Sequence, residues 1–384
     1  MSDIRFEGWL HRSGTGGVYQ DSAGNVGIAS TQPKTSLDIQ NGAFQVGPAG
    51  ICTVTTVKST NIVNSQPLTH RNFLFNSSYQ VAQRSTTNST INEYVVDRWR
   101  TFGGPSGFSI TRIDDATYAD SGKALRMHRT NGNSQTNNHG FGQGIETLNS
   151  LRLAGQSVIL SFKARRGADF SGSGNTINCS INAGEGTDEN PFGMTSTNSS
   201  SQSFTLLETD TSHTLTFDIP SDKTQVTVLF NYTPTGTAGV NDWFEIADCQ
   251  LEMGTAATPF EHVPYGEDLA RCQRYYYVHA DGDNKVIGVS VGYQANDIFL
   301  MVYPKVTMRT TPTVVQATGT NYYRLYHNGG QDSFNSWANT WNIQENMFSL
   351  NANASQGVSV SGGGDSVMII TSQSGAKLAF SAEL

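Results

Sequence analysis

The sequence predicts an all-β protein made of an N-terminal extended β stalk, a central antiparallel sandwich and a C-terminal β-rich domain preceded by one short helix. Many stretches alternate between apolar and polar residues, which is the period of a strand with one buried face. Only 15% of the 384 residues are charged, and 39 are Gly. The polar tracts consist of Ser, Thr and Asn rather than of the Glu and Lys that build long helices, so short strands and many turns are expected.

The first 70 residues are predicted to form a stalk or attachment segment of very short strands. Apolar triplets occur at 26–28, 37–39 and 44–46, and turn signals such as Gly24-Asn25 and Asn41-Gly42 separate them. Strands this short cannot bury their own apolar face. We therefore predict a homotrimer, in which each chain covers the apolar surface of the others.

Residues 71–265 contain the clearest strand signals. In the run Ser157–Arg165 every second side chain from Val158 onward is apolar, and most of those between are polar. The same period recurs around Phe108, Leu125, Ile177, Leu215 and Val226. Strands this numerous, with Gly-, Ser- and Asn-rich loops and no helical pattern between them, predict an antiparallel sandwich rather than an α/β fold.

Residues 266–384 are predicted to begin with a helix. Glu267 and Asp268 suit the positive end of its dipole, and Leu269 and Cys272 share one face. After the helix, four apolar stretches at 286–289, 298–302, 313–315 and 367–370 are predicted strands.

Charge and hydropathy exclude several classes of protein. The formal net charge of −8 and the pI near 5.5 argue against nucleic-acid binding, which requires a basic face. No apolar run approaches the ~20 residues of a membrane span, so membrane insertion is not expected. The start, Met1–Phe6, lacks the apolar core of a signal peptide, so we expect a chain made in the cytoplasm and exposed later.

The cysteines give no sign of a metal or redox site. Cys52, Cys179, Cys249 and Cys272 are widely spaced, without a C-x-x-C pair. Cys179 lies in an alternating run, where a free thiol acts as a small buried hydrophobe. Neither a metal nor a cofactor is predicted.

Catalytic patterns occur in the sequence but lack their context. Gly288–Gly292 matches G-x-S-x-G around Ser290, and Asp297 and His327 follow in the order of a hydrolase triad. A nucleophile elbow needs a strand, a sharp turn and a helix, whereas this match lies within a strand-like run. We therefore predict no catalytic residue.

Acidic clusters are interpreted in the same way. Asp281–Lys285 begins like a calcium loop, but Lys285 and Gly292 stand where further ligands are needed, so a hairpin turn is predicted. Acid pairs such as Asp114-Asp115 and Glu245/Asp248 could serve a glycosidase only if the two carboxylates faced each other.

A polar-aromatic cluster near the C-terminus is the candidate binding site. Flat aromatic rings stack on sugars while Asn and Asp bind hydroxyls, and the alternative is that these rings pack a core or a subunit interface. The candidate glycan-binding residues are Tyr322, Tyr323, Tyr326, Trp337 and Trp341.

The junction between the last two parts resembles a known protein family. Asp248–Leu269 contains Q-L-E-M-G-T-A-A-T-P-F-E, and Cys272–Tyr277 reads C-Q-R-Y-Y-Y. This is similar to the junction of bacteriophage tail-fibre and related virion proteins, where a jelly-roll module ends in such a strand and loop. Gly24–Ile28 is also similar to fibre-shaft segments, although Ala29 stands where Gly is usual, and the final A-E-L is similar to the end of fibre tip domains.

The central part resembles jelly-roll carbohydrate-binding modules. Asn72–Asn76 and Trp243–Leu251 are similar to their first and last strands. The resemblance therefore implies three domains: an N-terminal attachment or stalk segment at 1–70, a jelly roll at 71–265 and a helix with a C-terminal β tip domain at 266–384. A shared fold does not by itself transfer a sugar site.

These observations predict a non-enzymatic virion protein on the surface of a phage particle. We expect a homotrimeric tail fibre whose N-terminal segment binds a tail or baseplate protein and whose C-terminal domain attaches to a host-surface glycan. One alternative is a capsid-attached head fibre or decoration protein. Another is a polysaccharide depolymerase tailspike, although the repeated strand runs of a long parallel β-helix are missing.

Overall fold

The computed structural model describes residues 8–10, 17–28, 37–39, 44–46, 52–54, 70–104, 107–115, 117, 120–327, 329–338, 343–360 and 366–384. The chain divides into two compact units, residues 1–68 and 69–384. The predicted domain border at 265 falls inside the second unit and stays a prediction. The fold is all-β, as predicted, with two short α-helices among the described residues.

The first unit contains one six-stranded sheet, whose strands are paired in chain order. Its strands are β1 (Gly8–Leu10), β2 (Gly17–Gln20), β3 (Val26–Ile28), β4 (Leu37–Ile39), β5 (Phe44–Val46) and β6 (Cys52–Val54). The three predicted triplets are therefore confirmed as strands. β3 and β4 run parallel, and the other neighbours run antiparallel.

A tight turn joins β2 to β3. The Asp21 carboxylate accepts hydrogen bonds from the backbone N–H groups of Ala23 and Asn25, both 2.9 Å long. Gly24 adopts φ +86°, a conformation that side chains with a Cβ rarely take, so the predicted Gly24-Asn25 turn signal is confirmed.

The second unit begins with an antiparallel jelly roll of two facing sheets. The first sheet has the order β15-β12-β17-β10-β9-β7 and the second has the order β14-β13-β16-β11-β8. The elements are β7 (Thr87–Asn88), β8 (Arg100–Gly103), β9 (Phe108–Asp114), β10 (Lys123–Arg129), β11 (His139–Ile145), α1 (Thr147–Ser150), β12 (Ser157–Arg166), β13 (Thr176–Gly184), β14 (Asn198–Thr205), β15 (Thr211–Asp218), β16 (Gln225–Tyr232) and β17 (Trp243–Met253).

The inner faces of the two sheets form one hydrophobic core. The predicted alternation in β12 is confirmed, because Val158, Leu160, Phe162 and Ala164 are all buried. Trp99 lies in this core with its ring edge against Tyr79 and Phe141. Aromatic pairs of this kind add to the area that each ring buries.

The predicted first strand of the jelly roll is not a strand. Within Asn72–Asn76, the Phe73 N–H donates a backbone hydrogen bond to the Leu251 carbonyl. Asparagine side chains, rather than a partner strand, bind further backbone groups. The Asn72 amide oxygen accepts from the N–H groups of Leu74 and Leu251, and Asn76 adopts φ +52°. Side-chain bonds of this type compete with a regular ladder.

The C-terminal half begins with the helix α2 and continues with nine strands. The helix Tyr265–Gln273 confirms the predicted one. The strands are β18 (Tyr276–Asp281), β19 (Val286–Gln294), β20 (Asp297–Val302), β21 (Thr313–Gln316), β22 (Tyr323–His327), β23 (Gly330–Phe334), β24 (Phe348–Asn353), β25 (Ser366–Thr371) and β26 (Lys377–Ser381).

These strands form two sheets over a second core. The three-stranded sheet has the order β18-β26-β21, and the six-stranded sheet has the order β23-β22-β25-β19-β20-β24. The residues at 281–285 form a turn, but β18 and β19 belong to different sheets, so the predicted hairpin is wrong. The register shift after Val286 in β19 accompanies this change of sheet.

Three of the four cysteines are small buried groups. Cys179, Cys249 and Cys272 are free and buried, which confirms the interpretation of Cys179. Burial raises the pKa of the Cys179 thiol.

His139 is expected to make the protein less stable in mild acid. It is fully buried, its ring lies 4.7 Å from that of Phe108, and neither ring nitrogen has a hydrogen-bond partner among the described residues. Burial and the charge of Arg129 lower the pKa of His139. The unfolded chain therefore takes up a proton near pH 6.5 that the folded chain resists, and the free energy of unfolding falls as the pH drops below about 6.5.

Urea unfolding between pH 7 and pH 5 measures this effect. His139→Gln should reduce the loss of stability with falling pH, whereas His262→Gln, at an exposed position, should leave it as in the parent. The slope of the free energy of unfolding against pH should be reduced rather than abolished, because burial also lowers the pKa of His213 and His279. An unchanged slope in His139→Gln would contradict the prediction.

Candidate functional site

An open cleft of about 540 Å³ lies where the edge of the five-stranded jelly-roll sheet meets the three-stranded sheet of the C-terminal half. One wall is β8 with the segment that precedes it, and the other wall comes from β18, β21 and β26. Pockets of about 300–1,000 Å³ are the size that holds small ligands. The charged and aromatic residues of the lining are Arg84, Glu93, Tyr94, Arg100, Tyr276 and Lys377.

Arg100 is the central cation of the cleft. Its Nε donates to the Asn92 carbonyl at 3.0 Å, and its Nη1 donates to the Asn190 side chain at 2.8 Å. The guanidinium lies 5.4 Å from the centre of the Phe192 ring and 5.9 Å from that of Tyr94. Neutral oxygens and two aromatic rings therefore hold Arg100 in place without neutralising its charge.

The aromatic rings continue from the cleft onto the outer face of the sheet. Phe192 contacts Phe102 with ring centres 4.8 Å apart, and Tyr94, Phe102 and Phe192 are each half-buried. Phe102 lies over Gly140 of the neighbouring strand, where an added Cβ would come within 2.6 Å of the ring. Gly140 therefore allows this ring to lie flat against the sheet.

The two other cations of the cleft are paired with carboxylates. Arg84 lies 3.5 Å above the Tyr276 ring and forms an ion pair of 3.1 Å with Glu383. Lys377 forms an ion pair of 3.0 Å with Asp281. These pairs fix the floor of the cleft, whereas Arg100 presents its charge at the wall.

The tyrosines of the cleft stay protonated at neutral pH. Burial and the carboxylate of Glu383 raise the pKa of Tyr94, and burial raises the pKa of Tyr276. The Tyr94 hydroxyl donates to the carbonyl of Leu384 at 3.2 Å.

The chemistry of the cleft suits a polar ligand with flat faces. Half-buried aromatic rings can stack on a sugar ring, and Arg100 can donate several hydrogen bonds to hydroxyl or carboxylate oxygens. Further amides and hydroxyls of the lining are those of Ser85, Thr87, Asn88, Asn92 and Ser381.

Two of the five aromatic residues predicted as a glycan site lie inside the second core. Tyr323 is 0% exposed and Trp337 is 3% exposed. Their rings contact each other and both contact Phe334, and the Tyr323 hydroxyl donates to the carbonyls of Ala317 and Lys377. These two residues therefore pack in the core, which was the alternative to sugar contact.

The other three predicted residues do not join them in one surface. Tyr322 is half-buried and packs against the same core. Tyr326 is half-buried on the opposite face of β22, where it pairs with Met368. Trp341 lies outside the described residues.

The catalytic pattern around Ser290 lies within β19. The Ser290 side chain is buried, and its hydroxyl donates to the Phe299 carbonyl at 2.6 Å. The strand continues to Gln294 and is followed by β20, so no elbow forms at this position.

The carboxylates of the acidic pairs form ion pairs with cations. Glu245 forms ion pairs with Arg126 and Arg165, and Asp115 pairs with Arg165 at 2.5 Å. Asp248 pairs with Lys163 at 3.0 Å. Hydrogen bonds from Thr117 and Arg165 lower the pKa of Asp115 to about 2.

The described part of the chain was also compared with the requirements of a metal site and of a membrane-spanning helix, and it meets neither. Within it, no group of three or more His, Cys, Asp or Glu side chains is arranged to hold a metal ion. Within the same residues, no helix has the length and apolarity needed to cross a membrane.

The prediction from sequence missed the cleft because its residues come from distant parts of the chain. Tyr94 and Arg100 are close in sequence, but Phe192 and Lys377 join them only in the fold. The dense run Arg98-Trp99-Arg100-Thr101-Phe102 is the one local signal that could have drawn attention to this edge.

Comparisons with known proteins give structural similarity only. No family model matches the sequence, and no curated protein matches it. An enzymatically active domain of tailspike protein 4 from bacteriophage CBA120 aligns with 48% of this chain at 14% identity and a TM-score of 0.33, and the alignment covers 22% of that chain. This chain thus matches about a fifth of the tailspike chain.

Carbohydrate-binding modules align over a similar share of the chain. A xylan-binding family 22 module from Paenibacillus barcinonensis aligns with 48% of this chain and 96% of its own at 10% identity, with a TM-score of 0.30. The module TmCBM61, in complex with β-1,4-galactotriose, aligns with 48% of this chain and 99% of its own at 12% identity, also with a TM-score of 0.30. The TM-scores lie below 0.5, and we carry no ligand or activity over from these proteins.

Proposed function

We propose that the chain is a non-enzymatic structural protein of a bacteriophage particle, a homotrimeric tail fibre or appendage that attaches the virion to a glycan on the host surface. The N-terminal unit would bind a tail or baseplate protein. The protein would be made in the host cytoplasm and act on the surface of the virion. The sequence resemblance at Asp248–Leu269 and Cys272–Tyr277 supports the class of protein.

The arrangement around Arg100 is the observation that carries the glycan-binding part of the proposal. An open cleft combines a fixed guanidinium, half-buried aromatic rings and several amides, which is the set of groups that binds a sugar. We therefore place the glycan contact at the cleft rather than at the C-terminal aromatics, because Tyr323 and Trp337 expose no ring face.

The absence of catalysis is part of the same proposal. The Ser290 hydroxyl, which lies inside a strand, donates a hydrogen bond to a backbone carbonyl. The carboxylates of Asp115, Glu245 and Asp248 each form an ion pair with a cation. A glycosidase needs two carboxylates on either side of the bond that it cleaves.

Binding of the fluorescently labelled protein to immobilised neutral and acidic bacterial polysaccharides tests the proposal. Arg100→Gln should weaken binding at least about tenfold, since a hydrogen bond to a charged group contributes ~1.5–3 kcal/mol. Phe192→Ala should weaken it by a factor of about two to ten, since an aromatic contact contributes ~0.5–1.5 kcal/mol. Arg152→Gln, which removes an exposed arginine elsewhere on the jelly roll, should bind like the parent.

Two results would contradict the proposal. Unchanged binding by both cleft variants would remove the cleft from the function. Release of new reducing ends from a polysaccharide that the protein binds would show an enzyme. Circular dichroism of each variant establishes that the fold is kept.

A further inference from the structure

The outer face of the six-stranded C-terminal sheet is apolar at its centre. The inner face covers the second core, and the outer face of β25, β19 and β20 carries exposed apolar side chains. Val289 pairs across the strands with Met368, and Val291 pairs with Phe299. The most exposed apolar residues on this face, which we call the outer apolar face, are Val286, Val289, Val291, Tyr293, Met301 and Met368.

Two of these strands, β20 and β25, are apolar on both sides. In β20 Leu300 is buried while Met301 is exposed, and in β25 Ile369 is buried while Met368 is exposed. A strand that is covered on one side alternates between apolar and polar residues, whereas a continuous apolar run is typical of a strand covered on both sides. These strands therefore have the composition of a sheet with a second covering layer.

The outer face of the jelly roll shows the contrast within the same chain. There, Arg126, Lys163 and Arg165 form ion pairs with Glu245 and Asp248 in the middle of the sheet. That face has the composition of a solvated surface. The outer apolar face has Val, Met and Tyr in the corresponding central positions, and this composition is typical of the core of a subunit interface.

We propose that the outer apolar face is the contact between copies of this chain in the homotrimer, an inference that rests on the proposed function. The exposed parts of the six residues and of the adjacent Tyr303 amount to roughly 500 Å² of apolar area, taking ~150–250 Å² for a whole aromatic side chain. About 65% of the area of a homo-oligomer interface is apolar. An interface that contains roughly 500 Å² of apolar area therefore buries roughly 800 Å² per chain in total, which is the size of a stable protein interface. Around a three-fold axis, each chain presents one part of this face to each of its two neighbours, so the same apolar face is covered in all three copies.

The Arg100 cleft is a different surface from this interface. It is lined by β8, β18 and β26 together with residues such as Arg84 and Tyr94, and none of the residues of the outer apolar face contributes to it. The oligomer and the glycan site can therefore be tested separately.

Light scattering of the full chain after size exclusion tests the inference. The parent protein should be a trimer, and Val289→Glu with Met368→Glu should be a monomer with unchanged circular dichroism. Thr214→Glu with Thr216→Glu, two exposed sites on the outer strand β15 of the jelly roll, should remain a trimer. Each monomer should still bind polysaccharide through its cleft, with avidity reduced by a factor of ten or more.

The outcomes separate the inference from the proposed function. If the parent is an oligomer and the double variant stays the same oligomer, or if the parent is a monomer, the inference is wrong, while glycan binding is judged by Arg100→Gln alone. A parent dimer that the double variant dissociates supports the interface and contradicts the trimer.

A single cysteine gives a second measurement in case the charged variant does not fold. Val291→Cys, made together with Cys52→Ser, should react slowly with a maleimide in the assembled protein and quickly after dilution to the monomer. The native Cys179, Cys249 and Cys272 are buried and contribute little to the labelling. Rapid labelling in the intact oligomer would overturn the inference.

Discussion

Replacing Glu383 by Gln should lower the free energy of unfolding by about 3 to 5 kcal/mol, because it removes the anion that faces two arginines in the interior of the second unit. Glu383 forms ion pairs with Arg98 and with Arg84, and the side chains of Arg98 and Glu383 are 2% and 7% exposed. Burial lowers the pKa of Arg98, but the Glu383 carboxylate raises it above its usual value, so the charge is retained.

The position of this pair explains why the effect should be large. Arg98 belongs to the jelly roll, where it also donates to the Gly144 carbonyl at 2.7 Å and lies 3.6 Å above the Tyr275 ring. Glu383 follows the last strand of the C-terminal half. Arg309 donates to the carbonyls of Ala382 and Glu383, which holds this segment in place. The pair therefore joins the two halves of the second unit.

Urea unfolding of Glu383→Gln against Glu208→Gln measures the effect. Glu208 pairs with Arg166 at 3.4 Å and is 60% exposed, so its loss should cost less than about 1 kcal/mol. The double variant Arg98→Met with Glu383→Leu should be more stable than Glu383→Gln, because Arg98 is no longer left buried without its anion, and Arg84 keeps its ion pair with Asp97. Equal and small losses in Glu383→Gln and Glu208→Gln would contradict the prediction.

Sequence periodicity predicted those parts of the fold in which one strand face is buried. The alternation from Val158 to Ala164 follows directly from the two-residue repeat of a strand, and it needs no knowledge of the partner strands. Asn72–Asn76, predicted as a strand from its resemblance to carbohydrate-binding modules, is a different case. Its three central residues are apolar, but the side chains of Asn72 and Asn76 bind backbone groups that a ladder would use.

The candidate site could not be predicted in the same way, since aromatic composition does not distinguish a core from a binding surface. Tyr323 and Trp337 have polar neighbours in the sequence and lie in the core, whereas Phe192 follows a proline in a loop and lies beside Arg100 of the candidate site. The decisive property is which strands become neighbours. β8 and β26 are more than 250 residues apart, and only the topology brings Arg100 close to Lys377.

Arg129→Met should cost about 3 to 5 kcal/mol, because it leaves Asp242 buried and unpaired. Both side chains are 0% exposed, with 3.0 Å between Arg129 Nη1 and Asp242 Oδ2. The same guanidinium donates to the Ser171 hydroxyl at 2.9 Å and to the carbonyls of Asn133, Gln135 and Gly236. Arg129 therefore holds together several loops at one end of the jelly roll.

Arg129→Lys separates the contribution of the charge from that of the shape. Lysine keeps the positive charge for Asp242, but its single ammonium cannot reach the carbonyls on both sides, so a loss of about 1 to 3 kcal/mol should remain. Arg152→Met, at an exposed site, should change stability by less than about 0.5 kcal/mol. Full stability of Arg129→Lys would show that charge alone matters here.

A second measurement on Arg129→Met tests whether this residue acts on His139. The positive charge of Arg129 contributes to the lowered pKa of His139, after burial itself. Without that charge the folded chain should accept a proton on His139 more readily, so the pKa of His139 should rise toward 6.5. NMR titration of the His139 ring measures this shift directly, because the unpaired Asp242 also changes how stability depends on pH in Arg129→Met. The Asp242→Asn variant keeps the Arg129 charge, so its His139 pKa should be at least as low as in the parent protein. Equal pKa values of His139 in Arg129→Met and Asp242→Asn would mean that burial alone sets this pKa.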